Sequence, residues 1–307
     1  MALIDQDYEL IIQIVKQQSG IVLTKEKSYL LESRLVSVNE KYKFNDFTAL
    51  ASAMRMGNKD VIRDVVDALT TNESLFFRDL KPFDRFRDFM LPQLIQARAA
   101  QKTIRIWCAA ASTGQEPYSL AILIKEAAAK LAGFKVEIIG TDLCREVLKR
   151  SQEGIYSQFE VQRGLPIQYL LKYFKQLSPD KWQINPDIRS MVTYREFNLL
   201  DNPTMLGRFD IVFCRNVLIY FDQETKASIL ERVSKQMPED GYLILGGAET
   251  VIGITNCFEL SPGERGIYKR TNAKSAPDIL MKRADAAAAA ASTAPAKAAA
   301  IPKVVHA

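Results

Sequence analysis

A Rossmann-like, doubly wound α/β sheet closed by an antiparallel hairpin is the fold this sequence predicts for its larger part. A small all-helical domain is expected ahead of it and a three-stranded β insertion within it. Three observations carry the expectation. Ile104, Ile106 and Trp107 form an apolar run that passes through the small residues 108–113 and Gly114 into Glu116-Pro117 and a helix-like stretch over 118–131, giving strand, tight turn and helix. Apolar strand runs at 136–141, 209–214 and 241–246 then alternate with helical stretches. Runs at 258–260 and 266–270 flank Pro262-Gly263 as a closing hairpin.

Residues 1–70 read as amphipathic helices. Tyr8, Ile11, Ile12 and Val15 fall at helical spacing, and Gly20 stops that segment. A second helix is expected over 25–42, with Tyr29, Leu30, Leu31 and Leu35 inward and Lys25, Lys27, Arg34 and Lys41 outward. Asn45-Asp46 caps a third, ending at Gly57, and Val61, Val65 and Leu69 mark a fourth. Residues 71–103 form a linker. Its start, TTNESLFFRD from Thr70, sets Asn72 and Ser74 beside Leu75, Phe76, Phe77 and Arg78. An amphipathic helix over 82–99 follows, with Phe83, Phe86, Met90 and Leu94 on one face.

The sheet domain spans 104–270. In its first turn, small side chains let a ligand approach the backbone, and Gly114 can take φ > 0. Pro117 costs nothing at a first helical position. One glycine stands where a dinucleotide fingerprint has three, and Glu116 sits where a pyrophosphate would want bare N–H groups. The spacing therefore fits a ligand without phosphates, or a tight turn with no ligand. Asp142, past the second strand, is placed either for ribose hydroxyls or to cap the next helix. Residues 155–193 read as an insertion of helix plus three short antiparallel strands near 173–177, 181–185 and 190–196. Arg215-Asn216, Leu218, Tyr220 and Phe221 follow a buried strand at its carboxyl end, where ligands of open α/β sheets sit. Repeats finished by an antiparallel hairpin outline a class I methyltransferase sheet rather than a dehydrogenase. The Ala/Pro/Lys-rich stretch 271–307 reads as a disordered tail.

Composition narrows the functions. The net charge is +5, but 271–307 carries five cations against two carboxylates, which leaves +2 on the other 270 residues. That is no nucleic-acid-binding surface. No run approaches the roughly 20 apolar residues of a membrane span, and no signal peptide opens the chain, so a cytoplasmic protein is expected. Cys108, Cys144, Cys214 and Cys257 have neither disulfide-framework nor zinc spacing. The only histidine is His306, in the tail. Chemistry needing an imidazole or a His-ligated metal is thereby disfavoured.

Together, TNESLFFRD, WCAAASTGQEPYSLAI, FDIVFCRNVLIYFD and the order of helical domain, sheet and β insertion resemble the chemotaxis receptor glutamate methyltransferases, the CheR family. The resemblance covers residues 1 to about 270. It implies S-adenosylmethionine as cofactor, no metal, and glutamate side chains of methyl-accepting chemotaxis receptors as acceptors. The products would be glutamyl methyl esters and S-adenosylhomocysteine. Cofactor contacts carried over by the resemblance fall on Asn72, Ser74 (usually Thr in that motif), Arg78, Glu116, Asp142, Asn198, Leu199, Arg215 and Asn216. Arg78 would hold the methionine carboxylate, and Tyr220 falls beside the transferred methyl. Gln115 stands where the family often has a second Glu. A monomer without membrane insertion or nucleic-acid partner is expected.

Physical chemistry agrees with that implication, because a glutamate is already an anionic nucleophile at neutral pH and needs no general base. An amine-methylating enzyme would carry an Asn-Pro-Pro-aromatic stretch where this chain has Arg215-Asn216-Val217-Leu218. A non-catalytic module that senses S-adenosylmethionine stays open as an alternative. Two expectations concern the acceptor. Lys25, Lys27, Arg34 and Lys41, with Lys43, form a docking face for acidic receptor helices. In some family members the β flap captures a peptide from the receptor's C-terminus by strand addition. Here 176–188 has Pro179 and Pro186 but no glycine, and Trp182 would crowd the edge, so no such tether is expected.

Overall fold

The computed structural model describes residues 3–24 and 28–271, without the side chains of 28–30. Lys25, Lys27 and the tail from 272 lie outside the described residues, as do the inward roles expected of Tyr29 and Leu30. No helix among the described residues is long and apolar enough to cross a membrane.

Local chemistry sets the bounds of the first four helices. α1 (Asp5–Ser19) ends at Gly20, left-handed at φ 77°, whose N–H returns to the Lys16 carbonyl. α2 (Ser28–Tyr42) is followed by α3 (Phe47–Arg55), whose cap Asp46 accepts the Ala49 N–H at 2.8 Å. Asn58 caps α4 (Lys59–Leu69) in the same way. Ile11, Val15, Leu31, Leu35, Leu50, Val61 and Val65 close one core among them.

Two of the expected docking cations are already engaged. Arg34 donates to the carbonyls of Leu69 and Thr70 at 3.0 and 3.1 Å, filling the open end of α4. The spacing placed it outward on α2, and the end of α4 covers part of that side. Lys41 pairs with Asp64 at 2.5 Å and stays exposed.

Asp67, half-buried on α4, yields a stability prediction. Burial, aided by the like charge of Asp64, lifts its carboxyl from the ordinary 3.8 to about 6. A folded-state value above the unfolded one means that stability is fully present below 3.8 and is lost as pH rises through 6. Asp67→Asn should therefore match the parent near pH 4 and exceed it above pH 6. After discounting for solvent screening the gain is about 1 kcal/mol, or ~2–4 °C in melting temperature. Thermal melts across that range check it.

The linker carries α5 (Lys81–Arg85), a π turn (Phe86–Met90) and α6 (Leu91–Ala97), where one regular helix was expected. Pro92 has no N–H for the Asp88 carbonyl, which the wider turn accommodates.

The chain then builds β1 (Thr103–Ala109), α7 (Gln115–Glu126), β2 (Lys135–Asp142) and α8 (Arg145–Glu153). The insertion follows with β3 (Ile155–Ser157), α9 (Gln158–Gln162), α10 (Ile167–Tyr173), β4 (Phe174–Ser178), β5 (Lys181–Ile184) and α11 (Pro186–Arg189). The fold finishes with β6 (Val192–Glu196), β7 (Ile211–Cys214), α12 (Gln223–Lys235), β8 (Tyr242–Leu245), β9 (Phe258–Leu260) and β10 (Ile267–Arg270). The main sheet has the order β6-β2-β1-β7-β8-β10-β9. Its first five strands are parallel, while β10 and β9 close it antiparallel. β7 and β8 are buried along their whole length, as parallel strands covered on both faces must be.

The insertion differs from expectation in one strand. Its small sheet is β3-β5-β4, and the run expected as its third strand, β6, instead joins the main sheet beside β2. The fit is local: Tyr194 pairs with Gly140, where a Cβ would stand 2.8 Å from the Tyr194 ring. Trp182 sits on the middle strand, opposite Tyr156 and Gln176, with its Nε1 donating to Gln158 at 2.6 Å. It therefore covers no free edge, contrary to the expectation, and the open edges belong to β3 and β4.

Candidate active site

The carboxyl ends of β1, β2 and β7 open into one cleft, walled by the strap at 70–78 and by loops after β6 and β7. Asn72, Ser74, Arg78, Glu116, Asp142, Asn198, Leu199, Arg215, Asn216 and Tyr220 all line it. None of Arg34, Lys41 or Lys43 does.

The turn after β1 is strained and firmly held. Ala110, Ser112 and Gly114 are left-handed at φ 59°, 51° and 93°. The two non-glycine positions cost on the order of 1–3 kcal/mol each and persist only where their surroundings fix them. Here the Ser112 N–H donates to Asp142 Oδ2 at 2.8 Å, and its hydroxyl donates to the Asn72 carbonyl at 2.7 Å. Tyr156 donates to the Thr113 carbonyl at 2.8 Å. Gly114 has no room for a side chain, since a Cβ would meet Tyr194 Oη at 2.7 Å and Ser151 Cβ at 2.8 Å. The small-residue run is thus a backbone surface offered to the cleft.

Asp142 is held by backbone on both sides, and it caps no helix, since Cys144 stands at the N-cap of α8 with no side-chain cap. Its Oδ1 accepts the Cys144 N–H at 3.0 Å, at the start of α8, while Oδ2 pins the turn. Each oxygen keeps a further lone pair for a ligand hydroxyl. Burial raises its pKa, opposed by those backbone N–H groups.

Arg215 proves to be a brace. Its side chain is 2% exposed. One Nη donates to Glu116 at 2.9 Å, and the other to Asp79 at 2.7 Å and the Arg78 carbonyl at 3.0 Å. Only Nε is left without a partner. Strap, α7 and the β7 loop are thereby joined at one guanidinium. Glu116 is 13% exposed at the cleft wall, and burial lifts its pKa against the pull of Arg215. Arg78 makes one weak bond, to the Glu73 carbonyl at 3.3 Å, and keeps the rest of its donor fork for the cleft. The Asn198 side chain is committed to the Gln18 carbonyl at 2.7 Å and the Leu200 N–H at 3.0 Å. It ties α1 to the cleft wall.

Tyr220 ends a short 3-10 turn, and its carbonyl accepts the Val22 N–H at 2.9 Å. The residue is half-exposed, and its hydroxyl has no partner among the described residues. The loop bearing it depends on a residue that sequence reading missed. The buried Glu249 carboxylate accepts the N–H groups of Gly246, Asn216 and Leu218 at 2.7 Å and of Val217 at 2.9 Å. Asn216 is left-handed at φ 58° in that grip. The available signal was an acid set among small residues directly past a strand end, in Gly246-Gly247-Ala248-Glu249.

The family model described as the SAM binding domain of CheR methyltransferase matches residues 72–267, and the family's all-alpha domain matches residues 6–70. Chemotaxis protein methyltransferase 1 of Pseudomonas aeruginosa is 39% identical over 273 residues, covering 88% of this chain and 99% of that protein. Chemotaxis protein methyltransferase Cher2 of Pseudomonas putida is 38% identical over 264 residues, covering 84% and 96%. Chemotaxis protein methyltransferase 1 of Vibrio cholerae is 37% identical over 269 residues, covering 86% and 97%.

Proposed function

For this chain, which belongs to the CheR methyltransferase family and is an S-adenosylmethionine-dependent methyltransferase, we propose that the acceptor is the side-chain carboxylate of glutamates in chemotaxis receptors. The observation that carries this reading is a cleft in which every lining carboxylate among the described residues is already engaged. Asp142 is held by backbone N–H groups, Glu116 by Arg215, and Glu73 pairs with Arg163 at 3.2 Å. Burial pushes the thiols of Cys108 and Cys214 well above their usual range. An acceptor entering such a cleft must already be a nucleophile, and a glutamate carboxylate is one.

The donor set fits the cofactor. Asp142 has lone pairs for a diol, Arg78 a fork for a carboxylate, and the Ala110–Ser112 backbone a surface without bulk. When bound, S-adenosylmethionine supplies an electrophilic methyl group on a cationic sulfonium. The chain's own work is then alignment and exclusion of water, where positioning is worth several kcal/mol. Tyr220 would orient the acceptor carboxylate by donating a hydrogen bond to it.

Transfer of labelled methyl to receptor-bearing membranes tests the reading. Alkali-labile label released as methanol is expected; alkali-stable label means another acceptor, and no label with intact cofactor binding means a sensor. The roles separate by substitution. Asp142→Ala should weaken cofactor binding by about 1–3 kcal/mol in calorimetry. Tyr220→Phe should leave that affinity unchanged and lower turnover.

A further inference from the structure

We infer that a second groove, beside the cleft at the ends of β8 and β10, docks an acidic, partly apolar segment of the acceptor protein. The inference rests on the acceptor reading above. The groove has a volume of about 600 Å³. Asp79 and Glu249 line it, and they bond directly to Arg215 and Asn216, which line the cleft. A single layer of side chains therefore separates the two spaces, and a chain lying in the groove runs past the cleft.

Charge selects the occupant. The groove's own acids are engaged: Asp79 pairs with Arg215, which Glu116 shares, and Glu249 accepts four backbone N–H groups. Arg85 pairs with Glu264 at 2.9 Å. Lys81 and Arg265 are exposed on the rim and carry no carboxylate partner among the described residues. The lining carries three cations, Lys81, Arg85 and Arg265, against the two acids Asp79 and Glu249, so its balance is positive. Ile252 and Leu260, 72% and 44% exposed, offer apolar contact on the same rim. Carboxylates flanked by apolar side chains complement this surface, whereas Arg34 on α2 is bonded within the protein and Lys41 is held in an ion pair.

The test uses the full chain with receptor-bearing membranes, comparing the double variant Lys81→Glu, Arg265→Glu with Lys41→Glu. The double reversal should raise receptor KM about ten-fold and flatten its salt dependence, with cofactor Kd unchanged. Lys41→Glu should shift KM less than about two-fold, as for a solvated surface pair. If the reversals lower the melting temperature, Lys81→Gln with Arg265→Gln carries the same test, with a rise of about three-fold expected. Wild-type label transfer with unchanged KM in the variants overturns the groove alone. Absence of alkali-labile label from the wild type overturns the acceptor reading and this occupant together.

Discussion

Glu249→Gln is expected to lower turnover by about a hundred-fold or more while weakening cofactor binding far less. The carboxylate takes four backbone N–H groups, three of them from the consecutive residues 216–218. A glutamine offers one acceptor oxygen and turns an NH₂ toward donors. Two N–H groups then lose their partner, at about 1–3 kcal/mol for each that is buried. The loop relaxes from the end that holds Asn216 left-handed, and Tyr220 moves with it. Asp142 and Arg78, on other elements, keep their places. Label transfer at saturating cofactor, set beside calorimetry of cofactor binding, measures the split. Turnover within two-fold of the parent would show that Leu218 packing alone fixes the loop.

That loop shows where the sequence stops being legible. The turn after β1 could be read because its requirement is local: small residues, one glycine, and a proline where an N–H has no role. Asp142 could be read for the same reason, at the end of an apolar strand. Glu249 could not, since three of its four partners stand 31 to 33 positions away and no periodicity marks an acid that bonds backbone. Arg215 was legible as a site residue but not as a brace, because Glu116 and Asp79 reach it from 99 and 136 positions away. β6 alternates with period two whether it pairs with the small sheet or the large one, so its pattern named a strand without naming its neighbour. Helical spacing put Arg34 on the outer face of α2, and only the tertiary fold brings the end of α4 against it.

Arg215→Met should be the most destabilising of these changes, by about 3–5 kcal/mol near neutral pH, because it strands a buried partner. Of the carboxylates it leaves, Asp79 is 53% exposed and can turn to water, whereas Glu116 is 13% exposed and cannot. The cost therefore falls on Glu116. Burial already lifts its pKa above the ordinary 4.5, with Arg215 pulling it back. Removing that cation lifts it further. A folded-state pKa above the unfolded one gives stability that is present below the unfolded value and lost as pH rises through the folded value. The deficit of Arg215→Met should accordingly be small near pH 4.5 and reach its full size above pH 7. Adding Glu116→Gln should recover much of it, since the amide carries no charge to strand. Denaturant unfolding of parent, single and double variants at both ends of that range checks the sign. A deficit independent of pH would locate the loss instead in the packing of the Arg215 guanidinium over Phe83, 5.7 Å from the ring centre.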